Sequence, residues 1–151
     1  MGHTSYPCRL GKNGRTHLKR EGDGKSPMGK WKLLQLYFRS DKMRLPNTPF
    51  KARGLCQTDG WCDEAGNGAY NRLVALPFQA NHEALWRSDE AYDVLVTTNH
   101  NQRPRKQGGG SAIFLHVAKL DPRGTEGCIA LSEKHLKQVL GRCTRKTYLV
   151  I

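Results

Sequence analysis

Short apolar segments, broken every few residues by glycine or proline, constrain the fold of this chain more than any other feature of its sequence. The chain holds 16 glycines and 7 prolines, and these residues favour turns over long regular elements. Seven segments have the length and composition of β-strands: SYPCRLG, KWKLLQLYF, RLVALPF, YDVLVTT, SAIFLHV, GCIALS and TYLVI. Their spacing is mostly too short for the crossover helices of a doubly wound parallel sheet. The sequence therefore predicts a mainly β fold.

One helix is predicted directly after the GCIALS segment. Ser132 is a suitable N-cap, and Glu133 favours the positive end of the helix dipole. An apolar stripe follows, formed by Leu136, Val139 and Leu140. Gly141 is expected to end this helix. A second short helix is weakly indicated by NHEALWRSDEAY, residues 81–92.

The length of 151 residues suits one domain with a core of its own, so residues 1–151 are interpreted as a single domain. No segment approaches the roughly 20 apolar residues of a membrane-spanning helix, which predicts a soluble chain without integral membrane contact. Lys and Arg outnumber Asp and Glu by 25 to 13, and the formal charge of +12 favours polyanions. The basic residues are scattered and accompany no nucleic-acid motif, so nucleic acid is not the expected partner.

The cysteines and histidines do not follow a metal-binding pattern. Neither CxxC nor an i, i+4 histidine pair occurs, so no metal and no cofactor is expected. The five cysteines are Cys8, Cys56, Cys62, Cys128 and Cys143. Their odd number leaves at least one thiol unpaired. Cys56 and Cys62 are close enough in sequence for a small disulfide in an oxidising compartment.

A long polar segment, RGLCQTDGWCDEAGNGAYNRL, covers residues 53–73 and contains Trp61 and Tyr70. Long loops with aromatic and polar side chains are more often binding surfaces than mere connections. This segment is therefore interpreted as a loop that binds substrate. The alternative is a surface loop whose aromatic side chains cap the core.

The segment SAIFLHVAKLDPRGTEGCIALS, residues 111–132, places Cys128 twelve residues after His116. A thiol attacks a carbonyl as its thiolate, and an imidazole can take its proton and later return it to a leaving amine. Gly127 allows a tight turn, so the amides of Gly127 and Cys128 could both point at an oxyanion. The alternative is a buried structural thiol beside an ordinary strand histidine.

This segment resembles the signature of the YkuD-type L,D-transpeptidases, cysteine enzymes of bacterial peptidoglycan in which a strand histidine precedes a Ser/Thr-x-Gly-Cys turn. Upstream, GDGKSPMGKWKL (residues 22–33) is similar to the family's T-P-x-G-x-F element. GSAIFLH (residues 110–116) is similar to its strand into the catalytic histidine. The matches occur in family order over residues 22–132.

The resemblance implies a β-sandwich with one or two short helices, Cys128 as nucleophile and His116 as general base and acid. It also implies that a backbone carbonyl, here that of Val117, orients the histidine. The implied partners are peptidoglycan stem peptides, and the implied location is the cell envelope or periplasm. The first residues, MGHTSYPCRLGK, lack the apolar region of a secretory signal, so the sequence itself gives no location.

The chain departs from the family pattern S-H-G-C-x-R, because Glu126 replaces the histidine and Ala130 replaces the arginine. The lost arginine leaves donor specificity open. Compensation is expected from the turn and from the central loops. The expected substrate-binding residues are Thr125, Glu126, Trp61, Tyr70, Arg72 and His100, with Asp63, Asn71, Asn99 and Asn101 as further candidates. Arg72 could pair with a stem-peptide carboxylate.

The acyl acceptor is also open. An amine of a second stem would make the protein a transpeptidase, and water would make it an L,D-carboxypeptidase. Two non-enzymatic alternatives are a basic wall-binding module that has lost turnover and a nucleic-acid binder, the latter supported by charge alone.

Overall fold

A computed structural model describes residues 4–119 and 123–151. Within these ranges the strands are β1 Cys8–Arg9, β2 Arg15–Thr16, β3 Ser26–Pro27, β4 Lys30–Phe38, β5 Lys51–Gly54, β6 Asp59–Cys62, β7 Leu73–Ala75, β8 His82–Ala84, β9 Val94–Thr98, β10 Phe114–Val117, β11 Ile129–Leu131 and β12 Tyr148–Val150. The helix, α1, spans Glu133–Arg142. The predicted mainly β class is confirmed.

The main sheet has seven strands in the order β1-β11-β10-β9-β4-β12, and β5 pairs with β4 beside this path. Strands β10 and β11 are parallel, as are β4 and β5, whereas the other pairs of this sheet are antiparallel. A three-stranded sheet has the order β7-β6-β8, and β2 pairs with β3. The protein is therefore built from mixed sheets, without a doubly wound core.

The main sheet buries a different cluster on each face, because successive side chains of a strand point to opposite sides. The cluster under α1, here called the helix face, comprises Leu33, Leu36, Phe50, Val94, Val96, Ile113, Leu115, Val117, Ile129, Leu131, Leu136 and Leu140. The opposite cluster, here called the aromatic face, comprises Tyr37, Leu55, Trp61, Leu85, Ala91, Tyr92, Leu95, Ala112, Phe114 and Cys128. The Trp61 ring of β6 meets the Phe114 ring of β10 at 5.1 Å, which packs the three-stranded sheet against this second face.

Helix α1 begins as predicted, with the Ser132 side chain accepting the His135 N–H. It does not end at Gly141: the helix continues to Arg142, and Cys143 is the C-cap. The predicted end was one residue too early. A glycine permits a helix to end but does not require it, and this helix ends where the backbone of Cys143 becomes extended. In the described residues α1 is the one helix, and its ten residues are too few and too polar to cross a bilayer.

Two other expectations are wrong. Residues 81–92 form no helix, because β8 within them pairs with β6, Cys62 lying opposite His82. The segment 53–73 is not one long loop, because it contains the whole of β6, whose residues pair with β7 and β8. In both places pairing with distant strands outweighs a weak local preference.

Candidate functional site

Three neighbouring strands of the main sheet place His116, Ala130 and Arg9 in one row. Ala130 of β11 lies opposite His116 of β10 on one side and opposite Arg9 of β1 on the other. Residues directly opposite each other on paired strands share a face. Cys128 precedes Ala130 by two residues and therefore also points to the aromatic face. The histidine and the cysteine of the predicted pair thus share one surface of adjacent strands.

A cavity of about 760 Å³ covers this row. Its lining includes Cys128, His116, Ala130 and Arg9. The other charged side chains in the lining are the acids Glu21, Asp63, Glu83 and Glu126 and the bases Lys12, Arg87, Lys119 and Arg123. A substrate in this cavity would contact the thiol, the imidazole and charges of both signs.

The imidazole of His116 is fixed by backbone carbonyls. Its Nδ1 lies 2.7 Å from the carbonyl oxygen of Val117 and 3.2 Å from that of Ala91. Since a carbonyl only accepts, Nδ1 carries the proton and Nε2 keeps a free lone pair. The Tyr92 ring packs at right angles to the imidazole, 5.2 Å away. Burial lowers the pKa of His116 to about 4, so the ring is neutral at pH 7.

The thiol of Cys128 is also held by the backbone. Its Sγ accepts the Phe114 N–H at 3.3 Å and donates to the Ala112 carbonyl at 3.0 Å. Ala112 holds a φ of 51°, an unfavourable left-handed conformation for a residue with a Cβ. Burial raises the pKa of Cys128 to about 12, and the nearby Glu83 charge acts in the same direction. The resting pair is therefore a neutral thiol and a neutral imidazole.

The turn before Cys128 requires glycine. Gly127 has a φ of 137°, and a Cβ at this position would lie 2.8 Å from the Lys25 carbonyl oxygen. The hydroxyl of Thr125 accepts the Gly127 N–H at 3.1 Å and donates to the Cys128 carbonyl at 2.6 Å. The side chain of Thr125 therefore links two backbone groups of the turn to each other.

The upstream SPMGKW segment contacts this turn directly. Ser26 donates its hydroxyl to the Gly127 carbonyl at 2.8 Å and accepts the Gly11 N–H at 2.9 Å. Ser26 is fully buried, so both bonds form away from water. The two stretches of sequence that carry the family resemblance thus meet at the backbone of the turn before Cys128, where Ser26 and Gly127 are 101 residues apart.

The oxyanion donors were expected to be the amides of Gly127 and Cys128. The Gly127 N–H is bonded to Thr125. The Cys128 N–H has no hydrogen-bond partner among the residues that the structure describes. In this conformation the Cys128 amide is the donor left for an oxyanion, while the role of the Gly127 amide stays a prediction that requires the bond to Thr125 to open.

Sequence reasoning missed Lys19. Its side chain is almost wholly buried and ion-paired with Asp23. Its Cε lies 3.5 Å from the position that a Cβ on Gly127 would occupy, so an ammonium group lies just behind the turn before Cys128. This charge opposes the effect of burial on the pKa of Cys128. A lysine three residues before the GDGKSPMG segment was the available signal, but nothing in its spacing distinguishes it from the other scattered bases.

Tyr92 and Glu83 were missed because their segment was interpreted as a helix. Both line the cavity, and the Tyr92 hydroxyl donates to Glu83 Oε1 at 2.6 Å. The Tyr92 ring also contacts the His116 ring. The hydrogen-bonded pair of Tyr92 and Glu83 therefore packs against the imidazole.

The expected substrate-binding residues divide into two groups. Thr125 and Glu126 line the cavity, as does Asp63, and Glu126 is ion-paired with Lys12. The cavity lining does not include Trp61, Tyr70, Arg72 or His100. The binding role predicted for these four residues therefore has no support from this cavity.

The contacts of the four residues outside the cavity lining explain why they do not line it. Trp61 donates its indole N–H to Asn71 Oδ1 at 2.9 Å, and Tyr70 is fully buried with its hydroxyl on Glu21. His100 is buried against the Trp31 ring, and Arg72 is exposed outside the cavity. The alternative interpretation of the central segment, that its aromatic side chains cap the core, describes Trp61 and Tyr70.

All five cysteines are free thiols, and Cys56 and Cys62 form no disulfide. Within residues 4–119 and 123–151, no group of three His, Cys, Asp or Glu side chains is arranged to hold a metal ion.

Comparison with known proteins gives one match. A family model described as YkuD, the L,D-transpeptidase catalytic domain, matches residues 2–151. No curated protein and no solved structure matches the chain.

Proposed function

Because the chain belongs to the YkuD family of L,D-transpeptidase catalytic domains, we propose that it transfers acyl groups of peptidoglycan stem peptides through a thioester on Cys128. One observation carries this proposal. The thiol of Cys128 and the imidazole of His116 lie on the same face of two adjacent parallel strands and line one cavity. The family acts on peptidoglycan, which supplies the substrate class.

In the first half of the reaction, Sγ of Cys128 attacks the carbonyl on the L-centred side of the last peptide bond of a tetrapeptide stem. The thiol proton moves to Nε2 of His116 as the sulfur–carbon bond forms, and the carbonyl oxygen becomes an oxyanion. The tetrahedral intermediate then expels the terminal D-amino acid. His116 returns the proton to its nitrogen, and the thioester remains on Cys128.

The neutral resting pair determines when the proton moves. With the thiol pKa near 12 and the imidazole pKa near 4, a thiolate does not accumulate before substrate binds. Proton transfer therefore accompanies attack. The carbonyls of Val117 and Ala91 favour the protonated imidazole that this step creates, which lowers the cost of forming it inside the protein.

The second half repeats these steps with a different nucleophile. An amine of a second stem attacks the thioester, His116 takes its proton, and Cys128 leaves as the thiol. The product is a cross-link. Water in place of the amine gives a shortened stem, and the same groups would then make the protein an L,D-carboxypeptidase.

The proposal is tested by intact-mass measurement after incubation with a tetrapeptide-stem muropeptide or a carbapenem. The native protein should gain one covalent adduct, and Cys128→Ala should gain none. Cys56→Ala removes an exposed thiol outside the cavity and should keep the adduct. An adduct on Cys128→Ala would contradict the assignment of the nucleophile.

Product analysis by mass spectrometry separates the acceptors, because trimmed, exchanged and cross-linked muropeptides differ in mass. If muropeptide binding survives both Cys128→Ala and His116→Ala and the native protein releases no D-alanine, the protein is a wall-binding module instead.

A further inference from the structure

Arg9 differs from Lys12, Arg87 and Lys119, three other cations of the cavity lining. Its Nη1 is buried and, among the residues that the structure describes, has no hydrogen-bond partner. Lys12 is ion-paired with Glu126, whereas Arg87 and Lys119 both pair with Asp89. A buried guanidinium nitrogen without a partner is costly unless an anion or another acceptor reaches it. Among the described residues, Arg9 therefore presents to the cavity a guanidinium nitrogen that lacks an acceptor.

The strand pairing explains why this guanidinium is at the site. Arg9 of β1 lies directly opposite Ala130 of β11, and both line the cavity. Position 130 is where the S-H-G-C-x-R pattern has arginine, and this chain has alanine. The short Ala130 side chain leaves space above the sheet. Strand β1 thus places Arg9 beside position 130, where this chain has alanine instead of the arginine of the family pattern.

The distance to the nucleophile suits a contact with substrate. Cys128 is two residues before Ala130, or about 6.6 Å along β11, and Arg9 is one strand away, or about 4.8 Å. An extended arginine side chain covers most of this separation. A substrate bonded to Sγ would therefore have its nearest atoms within reach of Arg9.

We propose that Arg9 binds the terminal carboxylate of the acyl donor, the one carried by the D-residue that leaves. This inference rests on the proposed function, since it assumes that Cys128 attacks the last peptide bond of a stem. Only a nitrogen and an α-carbon separate that carboxylate from the attacked carbonyl. A guanidinium can hold a carboxylate by two parallel hydrogen bonds, which fixes its orientation as well as its position.

Two of the four acidic side chains in the cavity lining, Asp63 and Glu83, support this orientation. Asp63 follows β6 and Glu83 lies on β8, so both belong to the three-stranded sheet rather than to β1. Their negative charges disfavour a carboxylate on their side of the cavity. The donor would therefore bind with its free carboxylate towards β1, and donors without that charge would lose this preference.

The test compares two tetrapeptide stems that differ only at the end, one with a terminal D-alanine carboxylate and one with the terminal amide. Native protein should form the acyl-enzyme faster with the acid. Arg9→Gln should lower kcat/KM for the acid about 10- to 100-fold, as expected for loss of a charged hydrogen bond, and leave the amide nearly unchanged. Arg9→Lys should keep part of the preference, because it keeps the charge but not the paired geometry.

Arg15→Ala is the matched control, because Arg15 is an exposed strand arginine outside the cavity lining. It should change neither substrate's rate. Thermal unfolding of each variant checks that the fold is retained. An Arg9→Gln variant that affects both stems equally, or neither, would overturn the assignment of Arg9.

The two proposals fail differently. If native protein forms no acyl-enzyme with either stem, the proposed function is wrong. If it is acylated on Cys128 and Arg9→Gln does not discriminate between acid and amide, only the role of Arg9 is wrong.

Discussion

The two faces of the main sheet are made by the same strands but have different compositions. The helix face contains only aliphatic side chains and one phenylalanine, and α1 covers it. The aromatic face contains Trp61, Tyr92, Phe114 and Cys128, and the cavity opens from it. Strand β10 contributes Leu115 to the first and Phe114 to the second. The helix face is therefore purely apolar, whereas the thiol and the imidazole of the candidate site lie on the aromatic face.

This division shows how a small β protein keeps polar chemistry out of its main core. On the aromatic face three polar groups are bonded to the backbone or to each other: His116 to Val117, Cys128 to Ala112, Tyr92 to Glu83. Buried polar groups are tolerated when their hydrogen bonds are made. Substitutions on the helix face should consequently affect mainly the free energy of unfolding, and substitutions around Cys128 mainly the rate of adduct formation.

The largest expected effect on the helix face is that of Leu136→Ala. Leu136 is fully buried on the side of α1 that faces the sheet, and removing such a side chain typically costs about 2–5 kcal/mol. The free energy of unfolding, measured with denaturant, should fall by this amount, whereas acyl-enzyme formation per folded molecule should not change. Lys134→Ala, on the exposed side of α1, should leave both nearly unchanged. A direct effect of Leu136→Ala on the chemistry would contradict the division between the faces.

On the other face, Gly127→Ala should mainly affect the reaction. The new Cβ would be placed against the Lys25 carbonyl oxygen in a left-handed conformation, so the turn and Cys128 must move. A displacement of about 1 Å at a reacting group can lower the rate roughly 100-fold. The rate of adduct formation measures this loss. Gly66→Ala has a similarly positive φ, 95°, with open space around it, and it should not slow the reaction.

Ser26→Ala tests the link between the two stretches of family resemblance. It removes the buried bonds to Gly127 and Gly11 and leaves both backbone groups without that partner, at a cost of about 1–3 kcal/mol. Both unfolding free energy and adduct formation should fall, because the bond supports the turn before Cys128. The exposed Ser88→Ala serves as the control. Full activity in a destabilised Ser26→Ala would show that the bond serves the fold alone.

The pH dependence of stability tests the protonation states of the two groups. The folded protein resists protonation of His116 until about pH 4, whereas the unfolded chain binds this proton near its ordinary pKa of 6.5. The free energy of unfolding should therefore decrease as the pH falls from 6.5 to 4. His116→Gln should flatten the curve in this window, and an unchanged slope would contradict the neutral imidazole.

The thiol of Cys128 should make the free energy of unfolding depend on pH at the alkaline end. The folded protein keeps the thiol proton up to about pH 12, while the unfolded chain loses it near 9.0. Stability should consequently fall as the pH rises above 9, and Cys128→Ala should reduce that decrease. Denaturant unfolding of native and variant proteins across both windows measures the two contributions.

Much of the fold follows from local pattern. The short apolar segments SAIFLHV and GCIALS predict strands, and Ser132 followed by Leu136 and Leu140 predicts α1. The segment at residues 81–92 was misjudged because β8 exists only through its pairing with β6. Residues 53–73 were misjudged for the same reason, since Trp61 looks like an exposed loop aromatic until β7 and β8 flank its strand.

The sequence by itself determined which short apolar segments form strands and where the helix lies. It also determined the spacing of His116, Gly127 and Cys128. These features depend on neighbouring residues. Only the tertiary structure decided what surrounds that pair. Ser26 meets Gly127 across 101 residues, and Arg9 lies opposite Ala130 because β1 joins β11 from the other end of the chain. Such contacts are set by which strands pair, and strand pairing is a property of the whole sheet rather than of any one segment.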